Sequence, residues 1–362
     1  MSKTKALDNF VIRQFHQTGI DTLFFYYRRM RWRKAKACAR QYLGEGVPKR
    51  LMRWHLRRMR QAYILYGWEF DEYFMFNYNR LSRSGRKEFV TETQKDYFCD
   101  TIYNGHVVDL FTDKWSAYQH FAPYYKRDVC MLQSWEKDQD AVKRFLEKHN
   151  TFILKPENGS LGYGIQILHN TSADDVKALL KEYPGGFVME ELIDQAQEMA
   201  VLHPQSVNTV RITTLRLADR THIIHPFVKV GRGDDIVDNA AQGGIFGVVD
   251  IDTGVVTSAC DKMGNRYVRH PETGEKLIGF VIPQWDEALE LAKELSTVVP
   301  EAAYTGWDLA LTKDGWVVVE GNSRGQFVCY QMAEQKGFRK EFESMLGCTL
   351  KQFCKPQGRR VR

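Results

Sequence analysis

Three oxygen-bearing side chains, Asp308, Glu320 and Asn322, stand in the segment GWDLALTKDGWVVVEGN (306–322) at a spacing that a β-hairpin can convert into a metal site. Apolar runs flank Asp314-Gly315, and loop length decides the outcome, because a one-residue slip sends a strand's side chains to the other face. A two-residue turn is expected to put Asp308 and Glu320 on opposite faces. A three-residue loop of Lys313, Asp314 and Gly315, with the glycine left-handed, instead pairs Thr312 with Trp316, Ala310 with Val318 and Asp308 with Glu320. Leu311 then faces Val317 and Leu309 faces Val319, giving one apolar face and a second that ends in Asp308, Glu320 and Asn322. Two carboxylates and an amide oxygen are hard ligands, suited to Mg2+ rather than to zinc or copper. The competing reading is an ordinary hairpin with polar residues at its open end.

Three further stretches could serve the same chemistry. TFILKPENGSLGYGIQIL (151–168) reads as a strand ending in Lys155, a loop with Gly159, Gly162 and Gly164, and a returning strand. Glycines let backbone N–H groups approach phosphate oxygens, and a lysine adds a point charge for the same anion. The loop is neither a Walker A motif nor a dinucleotide fingerprint, and such loops also merely turn the chain. GGFVMEELI (185–193) is an apolar strand that ends in Glu190-Glu191; its edge could read an adenine ring while a carboxylate caps a ribose hydroxyl, or its acids are simply solvated. In SVNTVRITTLR (206–216), Asn208 precedes a strand on which Arg211 points away from the Ile212 face, suited to bidentate anion binding or to a surface ion pair.

The elements needed to position these residues follow from the apolar pattern. Strands are expected over 152–154, 164–168, 187–193, 209–217, 223–230 and 244–251, then around Trp307 and Trp316. Amphipathic helices are expected over 172–183 and 284–298, the first capped by Ser172. This is an α+β pattern with mixed sheets. Residues 1–95 read as a basic, mainly helical region, 96–195 and 196–350 as two subdomains, and 351–362 as a basic tail. The net charge of +6 conceals an asymmetry: residues 1–60 hold 16 Lys and Arg against Asp8, Asp21 and Glu45, so the remainder is acidic. Residues 20–66 could dock on that acidic remainder or on a protein partner, on an anionic membrane surface, or, ranked last, on nucleic acid. Seven dispersed cysteines and ten histidines show neither disulfide-framework nor zinc-ligand spacing. With no membrane-span pattern and no signal-peptide layout, the expected location is cytoplasmic, with peripheral membrane association as an extension.

The order of these stretches resembles the ATP-grasp superfamily. FILKPENGSLGYGI looks like its phosphate loop, FVMEELI its adenine hinge and DLALTKDGWVVVEGN its magnesium hairpin. Asp113-Lys114 resembles the segment that supplies a first ATP-contacting lysine. HPQSVNTVRITT, GGIFGVVDIDTGVV and HPETG are most similar to the sugar-transfer associated ATP-grasp group, related to the α-L-glutamate ligase-like proteins.

The resemblance implies an ATP-grasp fold of two α+β subdomains gripping ATP. It also implies a ligase that activates a carboxylate, small or sugar-linked, as an acylphosphate for attack by an amine-type nucleophile. Lys155 and Lys114, with the loop residues Gly159, Ser160, Gly162 and Gly164, are implied phosphate contacts, and Glu190 and Ile193 adenine contacts. Glu191 or Glu198 takes the ribose and Asn208 joins the nucleotide site. Asp308, Glu320 and Asn322 hold one or two Mg2+ ions, and Arg211, or Arg324 in its place, stabilises the transferring phosphoryl group. The alternatives are a kinase for a sugar or polyol hydroxyl and a non-catalytic ATP-binding scaffold. Asp308→Asn, Glu320→Gln and Lys155→Ala are each expected to abolish ATP turnover without unfolding the protein.

Overall fold

The hydrophobic pattern resolves, in a computed structural model, into helices and two antiparallel sheets; the structure describes residues 24–103, 110–157, 164–218, 220–233 and 243–354. The chain divides into two units, residues 1–87 and 88–362. In the first, helices α1 (Phe24–Leu43) and α2 (Lys49–Tyr66) pack against each other. Met52, Leu56, Met59 and Ala62 recur along α2 at helical spacing and are its buried stripe, and Gly67 ends it in the left-handed conformation at φ 71°. An aromatic cluster closes the unit: Trp68 meets Tyr78 edge-on with ring centroids 5.3 Å apart, and Phe76 at 5.5 Å.

The second unit begins with α3 (Glu92–Ile102), whose first turn is closed by a reciprocal cap between Thr91 and Gln94, and α4 (Lys114–Tyr125), capped by Asp113. The smaller sheet has the order β1 (Val129–Leu132), β4 (Phe187–Glu191), β2 (Thr151–Pro156), β3 (Gln166–His169). Helices α5 (Trp135–Lys148) and α6 (Ala173–Leu179) share its core, which includes Leu132, Val142, Phe145, Phe152, Leu154, Val176 and Phe187. Ser172 caps α6 as the sequence predicts.

The larger sheet runs β10 (Gly315–Asn322), β9 (Tyr304–Thr312), β5 (Thr209–Leu217), β6 (Arg220–Val230), β7 (Ile245–Val249), β8 (Val256–Asp261). Helix α8 (Trp285–Val298) lies on one face, and α10 (Arg339–Leu346) joins α3 in a second core where Phe98 meets Phe342 at 5.1 Å. A short helix α7 (Gln197–Ala200) links the sheets, and α9 (Val328–Glu334) follows β10.

Two expectations change. The sheets are not mixed: every paired neighbour among the described strands is antiparallel, because β4 inserts between β1 and β2, which would otherwise lie side by side in parallel. Helices α3 and α4 contribute Phe98, Phe121 and Tyr125 to the cores around the larger sheet. The second change is the hairpin register. Gly315 pairs with Thr312, Trp316 with Leu311, Val317 with Ala310 and Val318 with Leu309, so the loop has two residues, not three. A β-bulge between Val318 and Glu320 takes up Val319 as the extra residue and brings Glu320 opposite Asp308. The two acids do meet, through the bulge rather than the loop. Trp316 and Val318 consequently join Leu309 and Leu311 in the buried core instead of standing beside the acids.

This register makes neighbouring valines unequal, since Val318 is fully buried and Val319 sits partly exposed at the bulge. Val318→Ala is expected to cost about 2 kcal/mol in urea denaturation and Val319→Ala less than about 1 kcal/mol, whereas a three-residue loop reverses that order.

Candidate functional site

Strand pairing concentrates charge on one face of the larger sheet. Arg211 of β5 lies directly across from Asp308 of β9, and Lys229 of β6 lies across from Thr209, two residues from Arg211 and on the same face. The guanidinium grips Asp308 with two hydrogen bonds, Nε to Oδ1 and Nη2 to Oδ2, both 2.5 Å, and Lys229 Nζ adds a third to Oδ2 at 2.9 Å. Asp308 is 1% exposed, and these cations hold its carboxyl far below the usual range against the opposing pull of burial. Glu320 Oε1 lies 3.7 Å from Arg211 Nη2 and accepts a hydrogen bond from Asn322 Nδ2 at 3.1 Å. Lys229 did not emerge from the sequence reading. Its signal was a single cation in the apolar run PFVKV, and only the register of β6 gives that charge a destination.

The smaller sheet supplies a second charged cluster. Lys155 leaves β2 on the Glu190 side and its Nζ sits 2.9 Å from Glu190 Oε1. Arg127 holds the other oxygen of Glu190 at 2.6 and 3.0 Å, stacks over Tyr125, and gives a third hydrogen bond of 2.6 Å to the carbonyl of Val318. That carbonyl begins the bulge that positions Glu320, so one buried arginine ties the Glu190 strand to the acid-bearing hairpin. It lies in a turn with no motif around it, which is why the sequence reading passed over it. Lys114 opens α4; its Nζ donates to the carbonyls of Pro156 and Glu157 at 2.8 and 3.0 Å, and burial lowers its proton affinity. The Glu157 carboxylate accepts from the Lys114 backbone N–H at 2.6 Å; burial, then the nearby Asp113, push that carboxyl up.

The other sequence candidates scatter. Glu191 points to the opposite strand face from Glu190, where it accepts from the Asp128 N–H at 3.0 Å and, with Asp128 and His149, gathers its ligand atoms within 4.8 Å. Glu198 is exposed on α7, and Ile193 follows β4, half-buried. Asn208 is fully buried and its Nδ2 ties the carbonyls of Met199 and His203 at 3.1 and 3.0 Å, the position of an anchor for the turn before β5. Arg324 turns away to the acids of α3, Asp96 at 3.3 Å and Asp100 at 2.7 Å. Gly159, Ser160 and Gly162 lie outside the described residues. Gly164 has φ 76°, and a Cβ there would come 2.9 Å from the Pro156 ring.

The donor set fits a hard dication. The Glu320 side chain reaches solvent, yet its carboxyl is pushed up by the surrounding protein and then by the facing Asp308 carboxylate, a repulsion that a cation between the two would relieve. Asp308 already receives three hydrogen bonds, so it could offer a metal only its remaining lone pair, and Glu320 and Asn322 are the accessible ligands.

Glu190 carries a stability consequence. It is buried, and although burial raises its carboxyl, Lys155 and Arg127 prevail and hold it down at about 2, below its ordinary 4.5. Because the folded value lies below the unfolded one, its contribution is complete above about pH 4.5 and is lost as the pH falls toward 2. Glu190→Gln is therefore expected to be less stable at pH 7 by about 3 kcal/mol, with the gap to the parent narrowing as urea denaturation is repeated down to pH 3.

The sequence matches the family described as "Sugar-transfer associated ATP-grasp" over residues 93–346. No curated protein matches the chain in sequence. Among solved structures, the ATP-grasp ligase PsnB complexed with its minimal precursor is 16% identical with a TM-score of 0.42, over 68% of this chain and 64% of its own. The D-cycloserine synthetase DcsG is 14% identical with a TM-score of 0.42, over 72% of this chain and 80% of its own. D-Alanine-D-Alanine ligase from Helicobacter pylori is 12% identical with a TM-score of 0.41, over 68% of this chain and 60% of its own. The chain thus spans less than two thirds of the PsnB and Helicobacter pylori ligase chains. Since the family match covers well over half of the sequence and contains both charged clusters, the chain belongs to the sugar-transfer associated ATP-grasp family.

Proposed function

We propose that the chain is an ATP- and Mg2+-dependent ligase that activates a carboxylate, small or sugar-linked, as an acylphosphate for attack by an amine-type nucleophile. The observation that carries this reading is the convergence of Asp308, Glu320, Asn322, Arg211 and Lys229 on one sheet face, hydrogen-bonded or within 3.7 Å of one another. Phosphoryl transfer is catalysed mainly by positioning and charge neutralisation, and this set supplies both without a covalent nucleophile.

In this reading Lys155 exchanges Glu190 for the nucleotide phosphates, and Lys114, fixed by two carbonyls at the end of β2, supports them. Backbone groups from Glu190 to Ile193 read the adenine. Glu198 takes the ribose in preference to Glu191, which strand alternation turns away. Arg211, kept in place by Asp308, stabilises the transferring phosphoryl group; Arg324 is a weaker candidate because the α3 acids already hold it. Glu320, Asn322 and Asp308 would hold Mg2+, which would supply neutralisation of the phosphate charge.

The burial of Asp308 changes what its variant should do. Asp308→Asn removes the anion that holds Arg211 and Lys229, so about 3 kcal/mol of stability is expected to go with the activity, contrary to the sequence-based expectation. Glu320→Gln, at an exposed side chain, is the clean test. It should lower ATP turnover at least about 100-fold and weaken Mg2+ dependence with an unchanged melting temperature. Parental turnover in both Glu320→Gln and Lys155→Ala would remove the assignment. A metabolite screen with product mass spectrometry separates the chemistries. A ligase gives ADP and phosphate only when a nucleophile is present, and a kinase gives ADP and a stable phosphorylated acceptor. A scaffold shows nucleotide-dependent thermal stabilisation without turnover.

A further inference from the structure

We propose that helices α1 and α2 form a docking surface for an anionic lipid bilayer. Exposed Arg33, Lys34, Lys36 and Arg40 on α1 and six Lys and Arg in Lys49–Tyr66 stand without one Asp or Glu in either helix. Such a surface attracts a negatively charged plane, and each Lys or Arg near it raises partition about fivefold.

Charge alone does not choose a bilayer; the apolar residues among the cations do. Of the nine large hydrophobic side chains exposed in the described residues, five lie in this short stretch: Trp32 (46%), Leu51 (43%), Trp54 (46%), Ile64 (38%) and Leu65 (57%). They are not spare core, because the inward stripe of α2 is already filled by Met52, Leu56, Met59 and Ala62. On the outward side of α2, Arg50, Trp54, Arg57, Gln61 and Leu65 recur at intervals of four, three, four and four and so share one stripe. Trp54 is steadied there by His55, edge-on at 4.8 Å, and by the Arg58 guanidinium 5.8 Å from its ring. Tryptophan at headgroup depth, aliphatic side chains just below it and arginines on lipid phosphates make up an interfacial helix. A nucleic-acid surface accounts for the arginines and could stack the tryptophans, but it gives Leu51, Ile64 and Leu65 nothing to bury. Among the described residues no helix is long and apolar enough to cross a membrane, so the contact is one of lying on the bilayer.

The test is co-sedimentation of the full chain with phosphatidylcholine vesicles, with and without added phosphatidylglycerol, across a salt series. Binding is expected only with phosphatidylglycerol, weakening with salt. Arg50→Glu with Arg53→Glu and Arg57→Glu should lower the partition at least tenfold. Trp32→Ser with Trp54→Ser should remove the part that resists salt. Lys143→Glu with Lys181→Glu and Lys276→Glu, exposed elsewhere, should change little. Every substituted residue is exposed, so melting temperatures should match the parent and separate lost docking from lost folding. Glu320→Gln should bind vesicles like the parent, which keeps this test apart from that of the ligase. Absence of binding, or equal binding by the arginine triple variant, overturns the proposal. Tighter binding of a single-stranded RNA with the same sensitivity to the triple variant would also overturn it, in favour of nucleic acid.

Discussion

The site depends on keeping Asp308 ionised while almost wholly removed from water. A buried carboxylate is costly unless cations and hydrogen bonds replace its hydration, and Arg211 and Lys229 do so with three contacts of 2.5 to 2.9 Å. That requirement runs through the topology. It needs β5 beside β9 in a register that sets Arg211 across from Asp308, and β6 beside β5 so that Lys229 arrives on the same face. It also fixes the setting of Glu320, which faces a carboxylate that stays charged and therefore resists being charged itself. A sheet shifted by one residue at either pairing would leave a buried charge alone.

The second cluster follows the same logic at the other sheet. Glu190 is buried and neutralised by Lys155 and Arg127, and Arg127 also donates from Nη1 to the carbonyls of Val318 at the bulge and of Tyr125. The strand that ends in Glu190 and the hairpin that bears Glu320 thus share one guanidinium. Lysine could not serve all of these acceptors, because it lacks the planar fork.

The sequence shows the strands and most of the charged residues because their signals are local: apolar runs, a capping serine before α6, acids at the ends of strands. It predicts the pairing of Asp308 with Glu320 for the wrong reason. A bulge has no local signature in VVVEGN, where any of the valines could be the extra residue, and core packing of Trp316 and Val318 selects Val319. Arg127 and Lys229 were illegible because their roles arise from partners 63 and 79 residues away. Strand β1 is only four residues long, and its place beside β4 comes from tertiary pairing.

The cations of both clusters already have carboxylate partners within the protein, and this bears on how a polyanion would bind. Lys155 and Arg211 are satisfied by Glu190 and Asp308, so a phosphate chain must compete with carboxylates that the fold holds within 2.9 Å. An anion arriving alone would add charge beside Glu190, Glu320 and Asp308. An anion accompanied by a dication relieves the repulsion between Glu320 and Asp308 at the same moment. For the proposed reaction, nucleotide and metal affinity are therefore coupled through Glu320. The coupling is reciprocal, so each ligand strengthens the other's binding by the same factor.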